Sequence, residues 1–384
     1  MEFFISLMNK IWAVMPFLIA ITILVFVHEW GHFWVARKNG VKVDVFSIGF
    51  GKELFGWTDK LGTRWRVSLL PLGGYVKFVG DADASSARSD SAVINTLSEE
   101  EKNQTLHSKT PLQRIAVSVA GPGANYVFAI LLLAAMTLWN GVPKNYHLSV
   151  QDVLVGKIAD KAGILKGDTI VQLNRQELNK KSDFVSIISS HSGEDISITV
   201  KRVEDNKTVE KSFDVPLYSV VNGEKVKEKL GVVVSQMPGE MEKASVLESF
   251  SHAFKFTWNL SIQMLKGIGE LIVGKSQEVG GIFSIGAMAK QSFSLGVQSF
   301  LMFLIIISIN LGLVNLLPVP VLDGGNILFA TIEMIIKKPI PEKTQEFFFK
   351  IGLALIITLM LYTNYADLVR FEFFGWIKSL FFKG

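Results

Sequence analysis

Four apolar runs, Ile11 to about Ala36, Ile115 to Trp139, Val297 to Leu317 and Phe347 to about Ala366, are each long enough to cross a bilayer. In hydrocarbon every backbone N–H and C=O must be paired within the segment, so such runs fold as helices. The chain has 384 residues, 49% of them hydrophobic, and these are gathered into blocks. It therefore reads as a polytopic α-helical membrane protein of about four transmembrane helices. The first run is kept as a permanent helix, because no small-residue cleavage site follows it. The absence of cysteine excludes disulfides and thiolate metal ligands. A net charge of +4 suits solvated loops and points to no nucleic acid partner.

The first run ends in His28-Glu29-Trp30-Gly31-His32. Residues four apart share one helix face, so both imidazoles can reach one ion while Glu29 lies beside it. Zinc with a general base is the chemistry this pattern carries. A charged side chain deep in a bilayer costs roughly 2.5–3.5 kcal/mol on insertion scales, and such groups normally line a functional cavity.

Arg37, Lys38 and Lys42 follow span one, and Lys102, Lys109 and Arg114 precede span two. The positive-inside rule puts this loop in the cytoplasm. Lys337, Lys338, Lys343 and Lys350 place the loop between spans three and four on the same side. Spans one and three then both run inward, so a third ligand is expected near the end of span three. There the chain reads Asn315-Leu316-Leu317-Pro318-Val319-Pro320-Val321-Leu322-Asp323-Gly324-Gly325. Two prolines end the helix, and Asp323 sits just beyond. Two His and one Asp leave a fourth position open, as in a catalytic zinc site.

The segment Trp65 to Leu70, a Pro71-Leu72-Gly73-Gly74 turn and Tyr75 to Val79 read as a β-hairpin, with Val41 to Val45 as a further strand. Its edge could pair with an unwound substrate, or the hairpin could simply cap the bundle. Gly121-Pro122-Gly123 is expected to break or kink span two. The Ser- and acid-rich loop from Asp81 to Lys109 is expected to be mobile. Phe250, Phe254, Trp258, Ile262, Leu265 and Ile272 recur near helical spacing, predicting an amphipathic helix at the outer membrane face. Phe371, Phe373, Phe374, Trp376, Phe381 and Phe382 predict an interfacial anchor.

Taken together, these motifs resemble the site-2 protease family of intramembrane zinc metalloproteases, specifically the bacterial regulator of sigma-E protease type. The matching elements are His28, Glu29, Gly31 and His32; Gly73-Gly74-Tyr75-Val76; Gly121-Pro122 with Asn125; and Asn315, Pro318, Pro320, Asp323 and Gly324. The resemblance implies zinc on His28, His32 and Asp323, Glu29 as catalytic base, and Asn315, Gly73, Gly74, Tyr75 and Asn125 around the substrate. It also implies that Ala159 to Asn174 belongs to a PDZ-like α+β domain, serving either as a peptide receptor or as a steric gate. The implied activity is regulated intramembrane proteolysis of single-pass transmembrane proteins, such as anti-sigma-factor-like ones, after a first extracytoplasmic cut. The implied location is the bacterial inner membrane, with the PDZ-like domain outside and the active site near the cytoplasmic side.

Four regions are expected along the chain: an N-terminal membrane region over residues 1–145, a PDZ-like domain over 146–240, an interfacial segment over 241–296 and a C-terminal membrane region over 297–384. Two positions depart from the resemblance: Asn326 stands where many relatives have His, and Gly280-Gly281-Ile282 replaces Gly-Pro-Ile. A noncatalytic scaffold would have no use for Glu29 in lipid. A transporter would show internal repeats that are not seen in the sequence.

Overall fold

A computed structural model describes residues 2–81, 91–143, 146–178, 181–204, 207–221, 224–274 and 280–371. The chain splits into two compact units, Met1–Met136 with Phe250–Gly384, and Thr137–Ser249. Among the described residues, four helices are long and apolar enough to cross a membrane: Val14–Lys38, Pro111–Asn140, Val297–Asn315 and Glu342–Arg370. They coincide with the four apolar runs.

Helix α1 (Glu2–Lys38) leads into strands β1 (Val43–Thr58) and β2 (Arg64–Phe78). The sequence pattern pairs the two halves of β2 with each other, and the structure corrects this. Phe46 of β1 lies opposite both Trp65 and Val76, so the first part of β1 separates the two halves. The reason is aromatic packing. Phe46 is 1% exposed and meets Trp65 at 4.5 Å and Phe33 of α1 at 5.4 Å between centroids. Burying a side chain of this size contributes about 1.5–3 kcal/mol.

Asp59, in the β1–β2 turn, ties this sheet to α1. Its carboxylate accepts from Arg37 at 2.5 Å, from Trp65 Nε1 at 3.0 Å and from the N–H groups of Leu61 and Thr63. Burial by itself would raise its pKa. The hydrogen bonds from Trp65, Arg37 and the two N–H groups outweigh that and bring it down to about 2.

The loop expected to be mobile is partly ordered. Its residues 82–90 lie outside the described ones, whereas α2 (Ser91–Thr96) and α3 (Glu99–Lys102) are helical. A capping box between Ser98 and Glu101 starts α3. Leu106 then packs with Phe33, Ala36 and Val117. Helix α4 (Pro111–Asn140) passes through Pro122 without ending.

The second unit begins with β3 (Val142–Pro143), β4 (Tyr146–Val153), α5 (Ile158–Ala162), β5 (Thr169–Leu173), β6 (Gln176–Glu177) and α6 (Lys181–Ser190). It continues with β7 (Asp195–Glu204), β8 (Lys207–Pro216), β9 (Tyr218–Val221), β10 (Glu224–Lys227), β11 (Val232–Pro238) and β12 (Met241–Glu242). Five strands stand in the order β11-β4-β5-β7-β8, with β6 also on β5. Their alternating apolar residues, among them Leu148, Ile170, Ile198 and Val200, form one core with Ile164 and Phe184. The Lys166-Gly167-Asp168 turn is held by a fork in which Arg202 Nε and Nη2 each donate at 2.7 Å to the buried Asp168.

Helices α7 (Val246–Ile272), α8 (Ile282–Ser294), α9 (Val297–Asn315), α10 (Asp323–Ile336) and α11 (Glu342–Arg370) complete the first unit. The predicted apolar stripe of α7 is mostly exposed, with Phe254 and Trp258 each 61% accessible. A second stripe, Ala253, Phe256, Leu260 and Met264, packs on Ala129 and Leu133 of α4 and on Ile305 and Ile309 of α9. Through this second stripe α7 is bound along the bundle, where Tyr126 and Ser261 hydroxyls meet at 3.1 Å. Of the predicted aromatic anchor only Phe371 is described, and it is exposed.

Candidate metal centre

His28 and His32 lie on one face of α1, and Asp323 is the first residue of α10. His28 Nε2 is 3.2 Å from Asp323 Oδ2, His32 Nε2 is 3.4 Å from Asp323 Oδ1, and the two Nε2 atoms are 3.2 Å apart. The far ring nitrogens are occupied elsewhere. His32 Nδ1 meets the Val117 carbonyl at 2.8 Å, which accepts its proton and leaves the Nε2 lone pair facing inward. His28 Nδ1 stands 3.1 Å from the Asn125 amide. Tetrahedral bonds of 2.0–2.1 Å require donor atoms about 3.3 Å apart, so the three side chains fit one ion of that kind.

Small residues let the helices come this close. A Cβ on Gly31 would sit 2.2 Å from the Ala120 carbonyl oxygen, and one on Gly121 would sit 2.1 Å from His32 Nε2. On the other side, Gly324 and Gly325 pack on the backbone that ends α9, where a Cβ would lie 2.0 Å from Leu317 O and 2.6 Å from Val319 O. Val321, between Pro320 and Leu322, has φ +99°. Such a value is strained for a β-branched residue, and it directs the chain into α10 just before Asp323. Pro122 withholds the N–H that would close a helix bond to the Ser118 carbonyl.

A cavity of about 470 Å³ opens on this cluster, lined by Glu29, Gly74, Tyr75, Val76, Ser118, Asn315 and Asn326 among others. The Val76 N–H donates to the Glu29 carboxylate. Tyr75 stacks on Phe50 at 5.9 Å, with the Arg66 guanidinium 5.0 Å from its ring.

The family model described as peptidase family M50 matches residues 16–359. The chain belongs to peptidase family M50. Among M50-like relatives, a protein of Agrobacterium fabrum carried under the provisional name of zinc metalloprotease is 34% identical, over 92% of this chain and 95% of its own length. Metalloprotease MmpA of Caulobacter vibrioides is 32% identical over 95% and 97%. Protease RseP of Yersinia pestis is 30% identical over 95% and 100%. A solved PDZ domain of an SdrC-like protein from Listeria innocua covers 26% of this chain at 22% identity; its TM-score of 0.17 carries no argument.

Of the expected site residues of this M50 chain, His28, Glu29, His32, Asn315, Gly74, Tyr75 and Asp323 all line the one cavity. Gly73 lies behind Phe50, whose ring would be 2.5 Å from a Cβ there. Asn125 is fully buried behind His28. Sequence reasoning missed Leu106, Phe50 and Ser118 as lining residues. Nothing in the sequence marks Leu106 or Ser118, since each resembles its neighbours.

Proposed function

We propose that this M50 peptidase is an intramembrane zinc endopeptidase. It cuts transmembrane segments of single-pass proteins in regulated intramembrane proteolysis, after a first extracytoplasmic cut. The observation that carries this reading is the convergence of His28, His32 and Asp323 at 3.2–3.4 Å with Glu29 lining the same cavity. When bound on those three side chains, zinc supplies Lewis-acid polarisation of the scissile carbonyl and acidity for a water.

The remaining steps belong to the chain's own residues. Glu29 takes the proton of the attacking water and later delivers it to the leaving amine. A substrate helix hides its carbonyls in internal bonds and must unwind first. The Gly74 to Val76 edge of β2 can then pair with the opened strand, while Tyr75 and Asn315 flank it. Asn125 acts one step back: with its amide turned so that Oδ1 accepts from His28 Nδ1–H, it holds that ring for the metal. The basic residues around the first loop support an active site toward the cytoplasm and an extracytoplasmic PDZ-like unit, in a bacterial inner membrane.

The test is coexpression of a tagged single-pass substrate lacking its outer domain with wild type or Glu29→Gln, with zinc assayed in both purified proteins. Zinc in both and cleavage only by wild type is the expected result. Equal cleavage by both would sink the assignment of Glu29.

A further inference from the structure

Away from the metal cluster, a cavity of about 410 Å³ opens between the start of α4 and the end of α10. Its walls include Pro111, Arg114, Glu333, Met334, Lys337 and Lys338. Three cations thus face one carboxylate. That carboxylate is already committed, because the buried Glu333 is paired with Arg114 and also accepts the Ile340 N–H at 2.9 Å. Among the described residues Lys337 and Lys338 form no ion pair. Arg114 Nε is buried with no acceptor. That atom is closed off from the cavity, so the exposed Lys337 and Lys338 are the cations left to meet an oxyanion there. The first turn of α4, a 30-residue helix, adds the positive end of its dipole.

Position and surroundings select the kind of anion. Pro111 precedes Val117, the partner of His32, by about 9 Å of helix. Gly352 of α11 packs on the Pro320 carbonyl, and Glu342 precedes it by about 15 Å. The cavity therefore sits where the apolar spans α4 and α11 begin, at the depth of a lipid headgroup layer. Beside it, Met334, Ile335, Ile336 and Phe347 are 43–72% exposed, an apolar surface fit for acyl chains.

We propose that this cavity binds the phosphate of an anionic phospholipid. Basic pockets between membrane helices recognise such headgroups by the same charge logic. The seated lipid joins α4 to the far end of α10, the helix that begins at Asp323, so it braces the element carrying the third metal ligand.

The experiment uses the full chain, delipidated in neutral detergent, and counts bound lipid by native mass spectrometry. Wild type and Lys337→Gln/Lys338→Gln are titrated with short-chain phosphatidylglycerol, phosphatidylcholine and inorganic phosphate. A Lys343→Gln/Lys350→Gln protein carries the same charge change elsewhere. The expected result is a preference for phosphatidylglycerol that falls about tenfold or more in the first double variant and stays in the second. Equal binding of the two lipids, or unchanged phosphatidylglycerol binding in the first variant, would overturn the proposal. Displacement by inorganic phosphate at matching concentration would assign the cavity to a free anion and overturn it as well.

Discussion

The Asn125 amide nitrogen lies 3.1 Å from His28 Nδ1, fully buried, and its Oδ1 has no partner among the described residues, so turning the amide would give that oxygen the His28 N–H. Its backbone carbonyl accepts from Ser308 of α9 at 2.9 Å, so the residue is fixed between α1 and α9. Removing a metal-site outer partner of this kind commonly costs 10- to 100-fold in affinity. Asn125→Leu is therefore expected to weaken zinc binding by about that factor, whereas Asn125→Asp, which keeps an acceptor, retains it. Competition with a coloured chelator reads this directly. Unchanged affinity in the Leu variant would return Asn125 to the substrate side.

Gly121 supplies a paired test of helix approach. An Ala there would press on His32 Nε2 from 2.1 Å, while an Ala at Gly123 meets nothing within 4 Å. In a helix interior Gly→Ala ordinarily gains about 0.5–1 kcal/mol. Gly123→Ala should thus be neutral or stabilising in a thermal melt. Gly121→Ala should lose zinc while remaining folded, and a variant that keeps full zinc content would refute the close fit.

The metal cluster was legible because its signals are local. The four-residue spacing of His28 and His32, and the prolines that stop α9 before Asp323, follow from helix geometry alone. The neighbours of Phe46 were not legible, since pairing with both Trp65 and Val76 depends on an aromatic cluster formed across distant segments. Helix α10 was missed because its 14 residues are too short to register as a span. The second stripe of α7, centred on Ala253, was overlooked beside the larger residues of the exposed one. Asn125 matched a motif, yet only the fold shows that it faces His28 instead of the cavity.

Asp367 of α11 is buried and caps the first turn of α8. It accepts from the Ser284 N–H at 2.8 Å, from the Ser284 hydroxyl and from the Gly281 N–H. Helix α8 is thereby pinned against α1, where Ala289 packs with Ala20 and Leu24. The departure at Gly281 now has a physical reading. Proline there would remove a donor to Asp367, and any Cβ would lie 2.8 Å from the Thr363 carbonyl and 2.9 Å from Asp367. Both Gly281→Pro and Asp367→Ala are expected to destabilise by about 1–3 kcal/mol for each polar group left unpaired. Limited proteolysis at α8 should quicken in both, and protection equal to wild type would count against the cap.

Asp59 sets an acid limit on the β1–β2 sheet. Its carboxylate is held at about 2, below the ordinary value near 3.9, so the folded state binds its proton less readily than the unfolded chain. The stabilisation from the Arg37 and Trp65 bonds is complete above that ordinary value and is lost as pH falls toward 2. Because the pair is partly solvated, the effect is on the order of 1 kcal/mol. Asp59→Asn should lower the melting temperature modestly at pH 6, and the gap from wild type should close between about pH 4 and pH 2. A gap that stays constant through this range would show that the carboxylate's charge contributes nothing and that the loss comes from geometry alone.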